Sequence, residues 1–193
     1  MLRYLAYILT FARIILAAAM AALIAFGGAT AATFIALLAL AALEEASDIF
    51  DGIAARRAGT ASMLGGILDP LADSLARLTI YFALALAGWA TIAIPLTMAA
   101  RDIIVSYARV VAALSGTSTA ARLSGKIKAI IQGAGLFSFI ITAWIAHAGG
   151  SGLLVSSSRV ITASLVIAVT LWSLADYLAA AVPAAKKMSH RQK

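Results

Sequence analysis

Six of the eight acidic side chains in this sequence crowd between Glu44 and Asp73. Asp48 and Asp51 are three residues apart, and Asp69 and Asp73 are four apart. Either spacing sets a pair on one face of a helix. A short turn around Gly59 would fold the two helices against each other and gather the four carboxylates at one edge. Four such groups repel unless cations lie between them, and oxygen-only donors suit Mg²⁺, Mn²⁺ or Ca²⁺. Two divalent ions about 3.5–4 Å apart are a recurring device for displacement at phosphorus. The alternative is that these aspartates form ordinary ion pairs with Arg56, Arg57 and Arg77. Glu44 stands one turn before Asp48 and either touches this site or is solvated beside it.

Between the two pairs lie Gly52-Ile53-Ala54-Ala55-Arg56, then Ser62 and Gly65-Gly66. Small residues permit close helix packing in lipid, and equally let a nucleotide or diphosphate approach the backbone. Arg56 supplies a planar fork suited to phosphate oxygens.

The elements that must hold these groups are apolar helices. The chain has 193 residues, 63% of them hydrophobic and 12% charged, with a mean hydropathy of +1.01. Soluble domains carry about 25% charge, so lipid is part of the solvent here. At roughly 20 residues per bilayer crossing, six spans fit, at about residues 5–26, 31–58, 62–87, 92–115, 122–147 and 153–182 of one domain covering 1–193. The breaks are Gly27-Gly28, Ala58-Gly59-Thr60, Gly88 with Pro95 beyond, Ser115-Gly116-Thr117-Ser118 and Gly149-Gly150-Ser151-Gly152. The run Tyr4 to Phe26 is longer than a signal-peptide core and carries Arg13, so it reads as a retained span. There is no cysteine and only two histidines, which leaves carboxylates to hold any metal.

Arg3, Arg56, Arg57, Arg122, Lys126, Lys128 and the basic tail fall on one side of such a bundle. That asymmetry predicts both termini in the cytoplasm of an inner-membrane protein. The tail reads as an anchor to anionic headgroups, and no nucleic-acid partner is expected. Trp89, Trp144 and Trp172 read as interfacial anchors.

The residues Asp48-x2-Asp51-Gly52-x2-Ala55-Arg56-x8-Gly65-x3-Asp69-x3-Asp73 resemble the signature of the CDP-alcohol phosphotransferase family at every fixed position. The resemblance implies an all-α integral membrane protein with six transmembrane helices and a cytoplasmic active site, usually a homodimer. It further implies two divalent cations, Mg²⁺ or Mn²⁺, on Asp48, Asp51, Asp69 and Asp73, with Asp73 also the base. Gly52, Ala55, Arg56, Ser62 and Gly65, with Asp48, would line the CDP-diacylglycerol site.

Beyond the signature, the chain resembles the phosphatidylglycerophosphate synthase branch. The similarity covers Leu9-Thr10-x2-Arg13, Leu68-Asp69-Pro70-Leu71-Ala72-Asp73, Arg101-Asp102-Ile103-Ile104, Gly125-Lys126-Ile127-Lys128 and Leu171-Trp172-Ser173-Leu174-x2-Tyr177-Leu178. It implies sn-glycerol 3-phosphate as acceptor. The chain departs from the branch at Ala6-Tyr7 in place of Pro-Asn, at Asp102 in place of Glu and at Ser74 in place of Lys. A dianionic acceptor needs cations of its own, and Arg101, Arg109, Arg122, Lys126 and Lys128 form a basic cluster for its phosphate. Arg101 either binds substrate or pairs with Asp102. Lys126 and Lys128, two apart on a helix, point different ways, so at most one meets substrate. Competing readings are a synthase using inositol phosphate, a divalent-cation transporter and a non-catalytic scaffold. A transporter favours carboxylates at the bilayer midplane, whereas these acids fall at one edge beside an Arg-Gly turn.

Overall fold

A computed structural model of the chain describes the backbone of residues 2–58, 65–115 and 122–191, and the side chains of residues 12–47, 69–115 and 122–182. The order of elements is α1 (Leu2–Phe26), α2 (Ala31–Ala58), α3 (Gly65–Leu86), α4 (Ala93–Leu114), α5 (Leu123–His147) and α6 (Gly152–Arg191). No strand occurs among the described residues. α6 continues well past the expected end near residue 182.

Local chemistry explains the breaks. α3 and α5 end alike, with Gly88 (φ 73°) and Gly149 (φ 79°) in the left-handed region. The next residue then donates back across the last turn, Trp89 to the Leu84 carbonyl and Gly150 to the Ile145 carbonyl, each at 2.9 Å. This closure satisfies end carbonyls that the helix itself leaves open. Pro95 does not break α4 but lies in its first turn, where a missing N–H costs nothing. Pro70 is inside α3 and withholds one bond from the carbonyl four residues back.

α1 packs against α2 and α3, α3 against α4, α2 against α5, and α6 against both α4 and α5. The core between them is built from Met20, Phe34, Leu37, Tyr81, Met98 and Phe139, with neighbours from all six helices. Trp144 stacks its ring on Phe34 and Trp89 lies tilted against it, with centroids 5.9 and 5.6 Å away, whereas Trp172 stands half-exposed on α6. Polar side chains are inside too. Gln132 is fully buried; its side-chain amide donates to the Thr170 hydroxyl at 3.0 Å, and its backbone carbonyl accepts from the Tyr81 hydroxyl at 2.6 Å.

The outer surface is the reverse of a soluble protein's. Ile15, Ile35, Leu86, Ile103, Ile130 and Leu153 all face outward on different helices. Large apolar side chains exposed on all six helices suit an apolar surrounding. Among the described residues, α5 over Leu123–His147 and α6 over Gly152–Val182 are long and apolar enough to cross a membrane, and Ala12–Phe26 is a shorter apolar stretch.

At Gly135 an added Cβ would come within 2.8 Å of a Val166 methyl and 2.9 Å of the Tyr81 hydroxyl. Gly135→Val is therefore expected to destabilise the detergent-solubilised protein by about 1–3 kcal/mol. Gln132→Leu removes one interhelical hydrogen bond and should cost only about 0.6 kcal/mol. Equilibrium unfolding of both variants checks that order.

Candidate active site

α3 carries the part of the acidic constellation whose side chains are described. Asp69 and Asp73 lie on its first turns, Asp69 exposed and Asp73 partly so. Asp48, Asp51, Gly52, Ala55 and Arg56 fall on the last turns of α2, with side chains outside the described residues. Ser62 also lies outside them, and Gly65 opens α3 with no side-chain description.

Asp73 is held by two arginines. Arg77, one turn on, donates through Nε to Asp73 Oδ1 at 3.1 Å, and Arg13 of α1 approaches the same oxygen at 3.6 Å. Arg77 also reaches α2, where Glu45 lies 3.2 Å from it, and α5, where it meets the Ala129 carbonyl at 3.5 Å. The ion-pair alternative read from the sequence thus holds for Asp73 and Arg77. The second carboxylate that Arg77 meets is that of Glu45, which spacing alone did not single out. Glu45 rests on the α5 backbone, since a Cβ at Gly133 would meet its carboxyl at 2.8 Å. Glu44 is buried, and its Oε2 has no hydrogen-bond partner.

Both contacts to Asp73 use Oδ1, so the carboxylate is oriented while its other oxygen makes no hydrogen bond or ion pair among the described residues. Asp69 and Asp73 offer hard oxygen donors on one helix face, the donor type that Mg²⁺ and Mn²⁺ take. Among the described residues no group of three or more His, Cys, Asp or Glu side chains stands ready to hold a metal. The two described aspartates fit half of a four-carboxylate site.

One residue beyond Asp73, the structure turns from acidic to basic. Ser74 donates to Asp102 of α4 at 2.8 Å. Asp102 also receives Arg101 at 2.8 Å and Lys128 of α5 at 3.4 Å. Arg101 and Lys128 are both buried, where an unpaired charge would be costly. Arg101 therefore does form the pair with Asp102, and its other terminal nitrogen donates to Ser173 of α6 at 2.8 Å. Its Nε is buried without a hydrogen-bond partner.

The rest of the basic cluster divides. Arg122 precedes α5 and makes a two-bond fork to Asp176, at 2.6 and 2.6 Å, with Ser124 donating to the same carboxylate. This contact raises the Arg122 pKa above its ordinary value. Arg109 donates to the Tyr177 hydroxyl at 3.2 Å. Lys126 is exposed and makes no ion pair among the described residues, as the two-residue spacing from Lys128 requires. The sequence contained the signals for Asp176 and Tyr177, a lone carboxylate in an apolar helix and the Trp172-Ser173-x3-Tyr177 pattern. It did not say which cations they meet.

A family model described as CDP-alcohol phosphatidyltransferase matches residues 3–185. A CDP-diacylglycerol–glycerol-3-phosphate 3-phosphatidyltransferase of Treponema pallidum (strain Nichols) is 32% identical over 98 residues. That match covers 50% of this chain and 45% of that protein, so it spans less than half the relative's length.

Removing Arg77 takes a cationic partner from two carboxylates at once, Asp73 and Glu45. Arg77→Met is expected to cost about 1–3 kcal/mol. In a double-mutant cycle with Glu45→Gln, a coupling of about 0.5 kcal/mol or more marks a formed bridge. Additive losses would mean the contact contributes nothing.

Proposed function

The chain belongs to the CDP-alcohol phosphatidyltransferase family, and from that premise we propose that it moves a phosphatidyl group from CDP-diacylglycerol to sn-glycerol 3-phosphate. The products are phosphatidylglycerophosphate and CMP. The observation that carries this reading is the junction on α3, where Asp73 belongs to the acidic site and Ser74 is hydrogen-bonded into a buried basic cluster. Carboxylates for cations and cations for a phosphate then stand on adjacent residues.

The proposed setting is a single domain of six membrane spans, with the site and both termini on the cytoplasmic side of the inner membrane and two copies forming a dimer. The Glu45–Arg77 bridge supports a site shared by α2 and α3, because it joins them close to Asp48 on one helix and to Asp73 on the other. Acyl chains stay among the outward-facing apolar side chains while the headgroup reaches the helix ends.

Two divalent cations, Mg²⁺ or Mn²⁺, held by Asp48, Asp51, Asp69 and Asp73, would screen the diphosphate and stabilise the departing CMP. Asp73 accepts the proton of the attacking hydroxyl as a positioned base. The new bond joins the acceptor oxygen to the phosphatidyl phosphorus, and the phosphorus–oxygen bond to CMP breaks. Arg13 and Arg77, fixed on Oδ1, keep the Asp73 carboxylate in one orientation. Arg56, with Gly52, Ala55, Ser62 and Gly65, would bind the cytidine diphosphate. Arg101, Arg109, Arg122 and Lys128 would bind the acceptor phosphate.

Purified protein with Mg²⁺ or Mn²⁺ and CDP-diacylglycerol should release CMP when offered glycerol 3-phosphate. Release only with inositol phosphate would overturn the acceptor, and metal flux into liposomes without CMP would favour transport. Chelation with EDTA is expected to stop turnover, and readdition of Mg²⁺ or Mn²⁺ to restore it. Asp73→Asn should abolish turnover while CDP-diacylglycerol binding is largely kept; surviving turnover would refute the base.

A further inference from the structure

We infer that Tyr177 is the positioning residue of the acceptor-phosphate pocket, an assignment that rests on the phosphatidyl-transfer reading above. It is buried at 3% exposure on α6, yet contacts of three kinds converge on it. The guanidinium carbons of Arg101 and Arg109 lie 5.1 and 5.3 Å from its ring centroid. Its hydroxyl accepts from Arg109 at 3.2 Å and from the Arg122 backbone N–H at 3.4 Å. A Cβ at Gly125 would come within 3.2 Å of that hydroxyl, so the glycine eases the close approach of α5.

Two guanidinium groups gathered on one side chain repel each other. A carboxylate at this position would relieve the repulsion by cancelling charge. An aromatic face attracts cations through its quadrupole and leaves their full charge for a ligand. Oη, accepting from Arg109 and from the Arg122 backbone, then ties α4 to the start of α5. The same α6 face completes the fixture. Ser173, one turn earlier, accepts from Arg101, and Asp176 takes Arg122 in its fork.

The charge balance fits a dianion. Arg101 and Lys128 pair with Asp102 and Arg122 with Asp176, while Arg109 rests on Tyr177, so these four cations exceed the two carboxylates by two. That surplus matches a phosphate monoester, and the Arg101 Nε donor has no protein partner to surrender. Tyr177 thus sets how tightly the acceptor is held without touching the reacting atoms.

The test uses the full chain in detergent micelles. Tyr177→Phe keeps the ring and loses the hydroxyl, whereas Tyr177→Leu loses both. The KM for glycerol 3-phosphate is expected to rise about threefold in the first and about tenfold or more in the second. The KM for CDP-diacylglycerol and the kcat should stay within about twofold, because only ground-state acceptor binding is removed. An unchanged acceptor KM in both, or an equal rise in both substrates' KM, overturns the assignment. Should Tyr177→Leu fail to fold, Tyr177→Phe decides the question, with its thermal midpoint measured alongside. Calorimetric binding of glycerol 3-phosphate without CDP-diacylglycerol reads the pocket apart from turnover. Weaker binding by Tyr177→Phe supports the role even if the wild type releases no CMP, an outcome that would refute only the transfer reading. Equal binding by wild type and variant, or none by the wild type, overturns it.

Discussion

Charges enclosed by apolar helices must neutralise one another, and the arrangement of this bundle follows from that constraint. Arg13, Arg77, Arg101 and Lys128 are all buried, and each finds a carboxylate on its own or a neighbouring helix. Breaking such a pair leaves an uncompensated charge, which is far more costly than the pair is beneficial. The ion pairs therefore act less as a source of stability than as a restriction on how the helices can be set together.

Two networks result, and α3 is the seam between them. On one side Asp73 gathers Arg13 and Arg77, and through Arg77 reaches Glu45. On the other side Ser74 is bonded to Asp102, which gathers Arg101 and Lys128. The link across the seam is a neutral hydroxyl meeting a carboxylate. Because Ser74 brings no charge, Asp102 is left to balance Arg101 and Lys128, although one peptide bond separates the anchors of the two networks.

Glycines on α5 let the polar ends of other helices reach its backbone. Gly133 receives the Glu45 carboxyl, Gly135 the Tyr81 hydroxyl and Gly125 the Tyr177 hydroxyl. Small residues at helix contacts are the usual means of close approach in lipid. Here they also allow Glu45, Tyr81 and Tyr177, from three different helices, to be fixed against a single rigid element.

Local periodicity made much of this protein legible in its residues. The glycine-rich breaks bounded helices close to those observed, because left-handed turns and end closures are decided within a few residues. The same-face relation of Asp69 and Asp73 is equally local, and so is the divergence of Lys126 from Lys128, one exposed and one buried. Family membership was readable from a signature confined to two helices and their connection. What only the tertiary structure decided was the choice of partner across helices. Arg77 took Glu45, Arg13 took Asp73, and Arg122 took Asp176 more than fifty residues away. Tyr177 became the meeting point of two arginines and the start of α5. Spacing along a helix says which way a side chain faces; which charge waits there depends on how the other helices pack, and that is a property of the whole bundle.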